Sequence, residues 1–265
     1  MTCDFLGVSI HVEVRGAGPP LLLLHGIGAD ADTWSPLARR WAAQCLVMAW
    51  DAPGYHRSSD PPRPFSPREY GEAAAHVLAS AQVPAAIVVG HSFGGLVALE
   101  CAAADPERVA GLVLVDASLG HRRLSDAARD EALTRRIQAI EVLGAEEMAR
   151  RRTPEILSGA APPALRQEVE SVMRRVRAAG YVSAARAIHG GDALPHLAGF
   201  RGPLQVIWGA ADRITPLATL EQIRAVRPDA DVVLVPAAGH LPYLEAPDLV
   251  GERVEAFARR VFGSA

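Results

Sequence analysis

Lysine is missing altogether: the 27 basic residues other than histidine are all arginine. That absence excludes Schiff-base and pyridoxal-phosphate chemistry, which need an amine, and a P-loop, whose lysine grips phosphate. Arginine cannot stand in as a base, because its guanidinium does not deprotonate in proteins. Cysteine is scarce. Cys3, Cys45 and Cys101 are widely spaced without a metal-ligand pattern, so three reduced thiols and no disulfide are expected. No apolar run approaches the roughly 20 residues of a membrane helix. The stretch MTCDFLGVSIHVEVRG lacks the basic-then-apolar order of a signal peptide. Charge of one sign is also lacking. The net is −3 with both signs interspersed, which leaves no footprint for nucleic acid and no polybasic face for a membrane. A cytoplasmic protein with a small-molecule partner is expected, and monomer and homodimer both stay open.

What is present is apolar and patterned. Of 265 residues 49% are apolar, enough for one substantial core. Strands are expected at Ser9–Arg15, Pro20–Leu24, Cys45–Trp50, Ala85–Val89, Gly111–Val115, Leu204–Trp208 and Asp231–Val235. Unbroken runs such as LLLL, AIVV, LVLV and VVLV fit strands buried on both faces of a parallel sheet. SIHVEVR alternates instead, as an antiparallel edge would. Between strands, Trp34, Leu37 and Trp41 share a helical face, as do Val250, Val254, Phe257 and Val261, with Pro247 near that last helix's start. Alternating strands and helices point to an α/β fold with a mostly parallel, doubly wound sheet and ligands at the carboxyl ends of its strands.

The alternation stops after Val115 and resumes at Leu204. Between them Leu133, Ile137 and Ile140 share a helical face, and so do Val169, Val172, Met173 and Val176. Breaks are expected at Pro154, Pro162 and Pro163. The reading is a helical cap inserted at residues 118–202 into a core formed by residues 1–117 and 203–265.

One motif carries chemistry by its setting. AAIVV runs into Gly90-His91-Ser92-Phe93-Gly94-Gly95 and then a helical LVALECAAA. This is G-x-S-x-G between strand and helix, where the serine stands at the apex of a strained turn and the glycines avoid collisions. The helix N-terminus directs positive charge at the site. A serine hydroxyl needs an adjacent base. Of nine histidines, His240 alone follows the last expected strand, in the loop AAGHLPYLEAP. The acid that orients it is expected at Asp212, one strand earlier in GAADRITP, giving the order Ser, Asp, His. Asp116, at the end of LVLV, is the alternative acid. Asp51 reads as a turn and helix-docking residue.

HGIG at His25–Gly28, DAPGYHRS at Asp51–Ser58, GHSFGG, GAADRITP and GHLPYLEAP stand in the order that resembles the serine branch of the α/β-hydrolase superfamily. The resemblance covers nearly the whole chain. It implies an oxyanion hole made by the backbone N–H groups of Ile27 and Phe93, with His25 bracing its loop and His91 packing beside the elbow. It implies no metal and no organic cofactor. His56 departs from it, standing where relatives often carry glycine. His189-Gly190-Gly191 echoes a lipase oxyanion motif but lies late in the insertion, so it reads as a loop into the core. Ser92 sets the chain apart from branches that place a carboxylate there. GYVSAARAIHGGD looks similar to 3-oxoadipate enol-lactonases and small-ester hydrolases. A small carboxylic ester or lactone is the expected substrate. Two alternatives stand beside it: C–C bond hydrolysis of the meta-cleavage-product type, whose enzymes often have tryptophan where Leu241 stands, and a hydrolase-like ligand receptor.

Overall fold

The computed structural model describes residues 1–263. Eight strands form one sheet: β1 (Thr2–Phe5), β2 (Val8–Arg15), β3 (Pro20–Leu24), β4 (Leu46–Trp50), β5 (Ala86–His91), β6 (Val109–Val115), β7 (Leu204–Gly209) and β8 (Asp231–Val235), in the order β1-β2-β4-β3-β5-β6-β7-β8. From β4 to β8 all pairings are parallel, while β1–β2 and β2–β4 are antiparallel. The central strands are buried along nearly their whole length, as their unbroken apolar runs require. One expectation needs correction. SIHVEVR is not the edge; β1 covers it. TCDF carries no apolar run, and it is placed by a two-residue hairpin in which Leu6 (φ 48°) and Gly7 (φ 78°) both take the left-handed conformation that matches strand twist.

Eleven helices are described: α1 (Ser35–Trp41), α2 (Pro67–Ser80), α3 (Phe93–Ala104), α4 (Asp126–Glu141), α5 (Gly144–Ile156), α6 (Pro163–Met173), α7 (Ala178–Gly190), α8 (Leu194–Gly199), α9 (Leu217–Val226), α10 (Pro242–Glu245) and α11 (Pro247–Phe262). Among them α3 is the most deeply set, with every residue from Phe93 to Ala102 buried. Ser66 caps α2 in a reciprocal box with Glu69, which fixes where that helix starts. Trp34, Leu37 and Trp41 are buried together, and α11 buries Val250, Val254 and Phe257, the stripe its spacing predicts.

Helices α4 to α8 occupy the chain between β6 and β7 and contain no strand. Two local readings there fail. Pro154 does not break the chain; it sits inside the last turn of α5, where it forgoes the N–H bond to the carbonyl four residues earlier and the helix ends two residues later. His189 and Gly190 form the last turn of α7, with only Gly191 outside it, so the echo of an oxyanion loop belongs to a helix end. Val176 lies beyond α6 but is buried like the stripe it extends.

The winding places the site. After β3 the chain adds β4 on one side and β5 on the other, so direction reverses between β3 and β5, and crevices open at such switch points. Leu24 pairs with Gly90, so the loop after β3 and the turn after β5 leave the sheet side by side.

Candidate active site

Ser92 stands between β5 and α3 with φ 51° and ψ −114°, a conformation an L-residue holds only under constraint. The constraint is visible at the flanking glycines. A Cβ on Gly90 would lie 2.3 Å from the Gly94 carbonyl oxygen, and one on Gly94 would lie 2.1 Å from that of Leu24. Ser92 N–H donates to Val115 O at 2.9 Å, and Ser92 O accepts from both Gly95 and Ser118 N–H groups. The apex is therefore pinned by backbone on each side while its hydroxyl faces a cavity of about 430 Å³.

His240 lines the same cavity. Its Nδ1 donates to Asp212 Oδ2 at 2.8 Å, and both side chains are almost wholly buried, 6% and 1% exposed. Asp212 is itself held, because Oδ1 accepts from Ile214 N–H at 2.7 Å. Burial alone would raise the Asp212 carboxyl; the hydrogen bond and charge of His240, with the Ile214 N–H, hold it below the usual range. Ser92 and His240 share the cavity wall without a hydrogen bond between hydroxyl and ring, a contact that in such sites commonly tightens only with substrate.

Asp116, the alternative acid, lies close by but does not hold the histidine. Its Oδ1 accepts from Gly209 N–H at 3.0 Å, and its Oδ2 is buried without a hydrogen-bond partner. A carboxylate oxygen of Asp116, one of Asp212 and a ring nitrogen of His240 all lie within 4.8 Å of one another. Burial and the neighbouring Asp212 charge push the Asp116 carboxyl well above its ordinary value, the opposite direction to Asp212.

The loop after β3 passes against the elbow: a Cβ on Gly26 would sit 3.1 Å from Ser92 Cβ. His25 braces this loop, accepting from Ala52 N–H at Nε2 (3.0 Å) and donating from Nδ1 to Gly26 O (2.9 Å). Burial lowers its pKa, which keeps the ring neutral in that tautomer. The N–H groups of Ile27 and Phe93 have no acceptor among the described residues, the latter being the first N–H of α3. Asp51 docks the helical turn after this loop, accepting from Ala31 N–H and from Arg57. His56 has φ 39°, in the left-handed region, which explains why glycine suits that position.

Three features exceed the sequence reading. His91 does more than pack: its Nε2–H donates to the His240 carbonyl at 2.7 Å, and burial keeps it neutral. Glu245 joins the histidine loop to α5, accepting from Gly239 N–H at 2.8 Å and Ser158 N–H at 3.0 Å. It stands inside GHLPYLEAP, five residues past His240, but nothing in the spacing says what it braces. Arg175 and Arg177 clamp the helical layer to the sheet, the first on Asp30 (2.7 Å) and Asp32 (3.0 Å), the second on Asp60 and the carbonyls of His56 and Ser58. Among the described residues two carboxylate–histidine groups are compact enough for a cation, the second being Asp30, Asp32 and His56. Both are already engaged: Asp212 with His240, and Asp30 and Asp32 with Arg175 and Arg57.

A sequence model described as "Alpha/beta hydrolase family" matches residues 21–253. The chain is 32% identical over 252 residues to the dihydrolipoyllysine-residue acetyltransferase component of the acetoin cleaving system of Pseudomonas putida, covering 92% of this chain and 64% of that one. It thus spans less than two thirds of that relative's length. It is 32% identical over 274 residues to a pimeloyl-[acyl-carrier protein] methyl ester esterase of Xanthomonas campestris pv. campestris, covering 94% and 98% of the two chains. Among solved structures, a thermophilic esterase from Thermogutta terrifontis, malate bound, superposes with TM-score 0.89 at 24% identity over 98% of this chain and 97% of that one. The enol-lactonase from Burkholderia xenovorans LB400 does so with TM-score 0.87 at 20% identity over 97% and 99%. At these identities the superpositions speak for the fold alone. The match to the family along most of the chain and the esterase relative covered nearly end to end lead to one conclusion: this chain belongs to the alpha/beta hydrolase family.

Proposed function

We propose that the protein is a serine hydrolase acting on a small carboxylic ester or lactone, with Ser92, Asp212 and His240 as its catalytic triad. The observation that carries this is the strained Ser92 elbow and the Asp212-held imidazole opening on one cavity. The substrate carbonyl sits against Ser92, with its oxygen toward the N–H groups of Ile27 and Phe93. Oγ attacks as His240 Nε2 takes its proton, and Asp212 keeps Nδ1 protonated and stabilises the imidazolium. The two N–H donors meet the developing oxyanion, each worth on the order of 10²–10³ in rate. His240 then protonates the departing alcohol. Water, activated the same way, releases the acid and restores the serine.

Residues 118–202 act as a cap. Helices α4 to α7 supply the far wall of the cavity, including Val169, Val172 and Met173, which gives an apolar lining for a carbon chain. The relatives named as esterases support ester cleavage. The test is release of 4-nitrophenol from short acyl esters, which Ser92→Ala abolishes. Decay of a dienoate chromophore without esterase activity would instead place the protein among C–C hydrolases. Ligand-dependent partner binding that survives Ser92→Ala would make it a receptor.

A further inference from the structure

The cavity that receives Ser92 is electrostatically one-sided. Arg123, Arg135, Arg136 and Arg152 all line it, and no aspartate or glutamate does. Two of the four are matched elsewhere, Arg123 by Asp192 at 2.7 Å and Arg152 by Glu155 at 2.6 Å. Arg136 is not. Its one hydrogen bond runs to Ala132 O of its own helix at 3.5 Å, the limit of such a contact. Burial pulls its pKa down, Tyr181 works against that, and the charges of Arg152 and Arg135 lower it further. A guanidinium stays charged regardless, so this is a part-buried cation on the cavity wall with no carboxylate partner among the described residues.

His121 lines the same cavity. His121 feels the Arg136 charge, and burial lowers its pKa to about 4, so the ring is uncharged at neutral pH. Its Nδ1 is buried with no hydrogen-bond partner. Behind this wall a second cavity of about 500 Å³ is lined by the same Arg135, Arg136 and Arg152, with Arg151 and Arg213 added. Its only acid is Glu155, already paired with Arg152. The cap thus offers a cationic lane ending in the catalytic cavity.

We propose that Arg136, with Arg152 and His121, forms an anion subsite, and that the preferred substrate is an ester or lactone whose acyl chain ends in a carboxylate or phosphate. This rests on the serine-hydrolase reading above. The acyl chain is the part assigned to the subsite because it alone remains bound to Ser92 through both halves of the reaction. The anion supplies the counter-charge that Arg136 lacks, and a planar guanidinium matches a carboxylate or phosphate fork.

The test compares mono-4-nitrophenyl glutarate with 4-nitrophenyl hexanoate, two esters of similar length and opposite character at the far end. The wild type should favour the anionic ester at least about 10-fold in kcat/KM, and the preference should shrink with added salt. Arg136→Gln should cut that ratio about 10- to 100-fold, mostly through KM. Arg152→Gln, a second variant should the first fold poorly, should cut it less. Equal rates on the two esters, or a ratio unchanged in both variants, would overturn the subsite while leaving the hydrolase reading intact. Should neither ester be cleaved, the hydrolase reading fails by itself. Calorimetric titration of glutarate and of butyl phosphate into Ser92→Ala then decides the subsite: binding lost on adding Arg136→Gln supports it, and no binding of either overturns it. Tighter glutarate names the terminal group a carboxylate, and tighter butyl phosphate names it a phosphate.

Discussion

The sheet and the helical layer above it are built by opposite means. In the sheet, Leu22, Leu23, Val88, Val89, Val113 and Leu114 have no exposure, and catalytic candidates stand on the rims of strands that cannot shift. In the layer, α4 buries only Ala132 and Ile140 along 16 residues, and its neighbours carry surface arginine–glutamate pairs such as Arg150–Glu147 and Arg174–Glu170. Exposed pairs of that kind contribute little, roughly 0–1 kcal/mol each. Elsewhere the layer joins the core's apolar cluster through Met148, Ile156, Val169, Met173, Tyr181 and Ile188, and Arg175 and Arg177 clamp it to the loops after β3 and β4. The difference separates two tasks. The geometry at the strand rims is fixed by close-packed backbone, and the outer faces of the layer carry side chains that packing leaves free to vary.

Substitutions on each side should break in different currencies, activity or stability. The largest effect belongs to the sheet rim: Ser92→Ala and His240→Ala should each lower kcat by about 10⁴–10⁶ with Tm within a few degrees of wild type, read by ester assay and thermal melting. Next come glycines, where one chemical change can be made in both regions. Gly94→Ala drives a Cβ into the Leu24 carbonyl at 2.1 Å and should cost about 3 kcal/mol or more in denaturant unfolding. Gly144→Ala, in the layer with φ 77° and open space around it, should cost only about 1–2 kcal/mol from backbone strain. Gly159→Ala, with neither strain nor neighbours, should change stability by less than about 0.5 kcal/mol.

Removing a clamp sharpens the contrast further. Arg175→Ala should cost about 1 kcal/mol and should speed proteolytic cleavage within residues 118–202 more than anywhere in the sheet. The last effect is a matter of pH. Asp116 has a raised carboxyl pKa in the folded protein, so the stability it contributes is complete below its unfolded value, about 3.9, and is lost as pH rises through the folded value. Asp116→Asn removes that loss. Its Tm should exceed wild type at pH 8 and converge with it near pH 4. Asp212 runs the other way: its lowered pKa gives stability present above the unfolded value and lost as acid protonates it.

The same division explains what the sequence could say. Strands buried on both faces announce themselves by unbroken apolar runs, and Pro20–Leu24 has the bounds read for it; Asp231–Val235 has its bounds too, but its VVLV run is the sheet's edge, with Leu234 48% exposed, and not a strand buried on both faces. The elbow was legible because its glycines answer local collisions. β1 was not, since a four-residue edge strand depends on its hairpin and partner and not on any pattern of its own. Pro154 misled for a related reason: a proline near a helix end is tolerated by context that no single residue displays. Glu245, His91 and Arg136 stayed hidden because what each does depends on partners far along the chain. Asp212 could be ranked above Asp116 by order along the chain. That the two share one buried corner, with their carboxyls shifted in opposite directions, needs three dimensions.

Whether the hydroxyl of residue 92 is the nucleophile can be read directly by mass spectrometry after treatment with a fluorophosphonate, an acyl-trapping probe. One adduct per chain should form, mapping to Ser92, absent in Ser92→Ala and slowed at least about 10³-fold in His240→Ala. An adduct on a different residue, or labelling of Ser92 that proceeds as fast without the imidazole, would contradict the account.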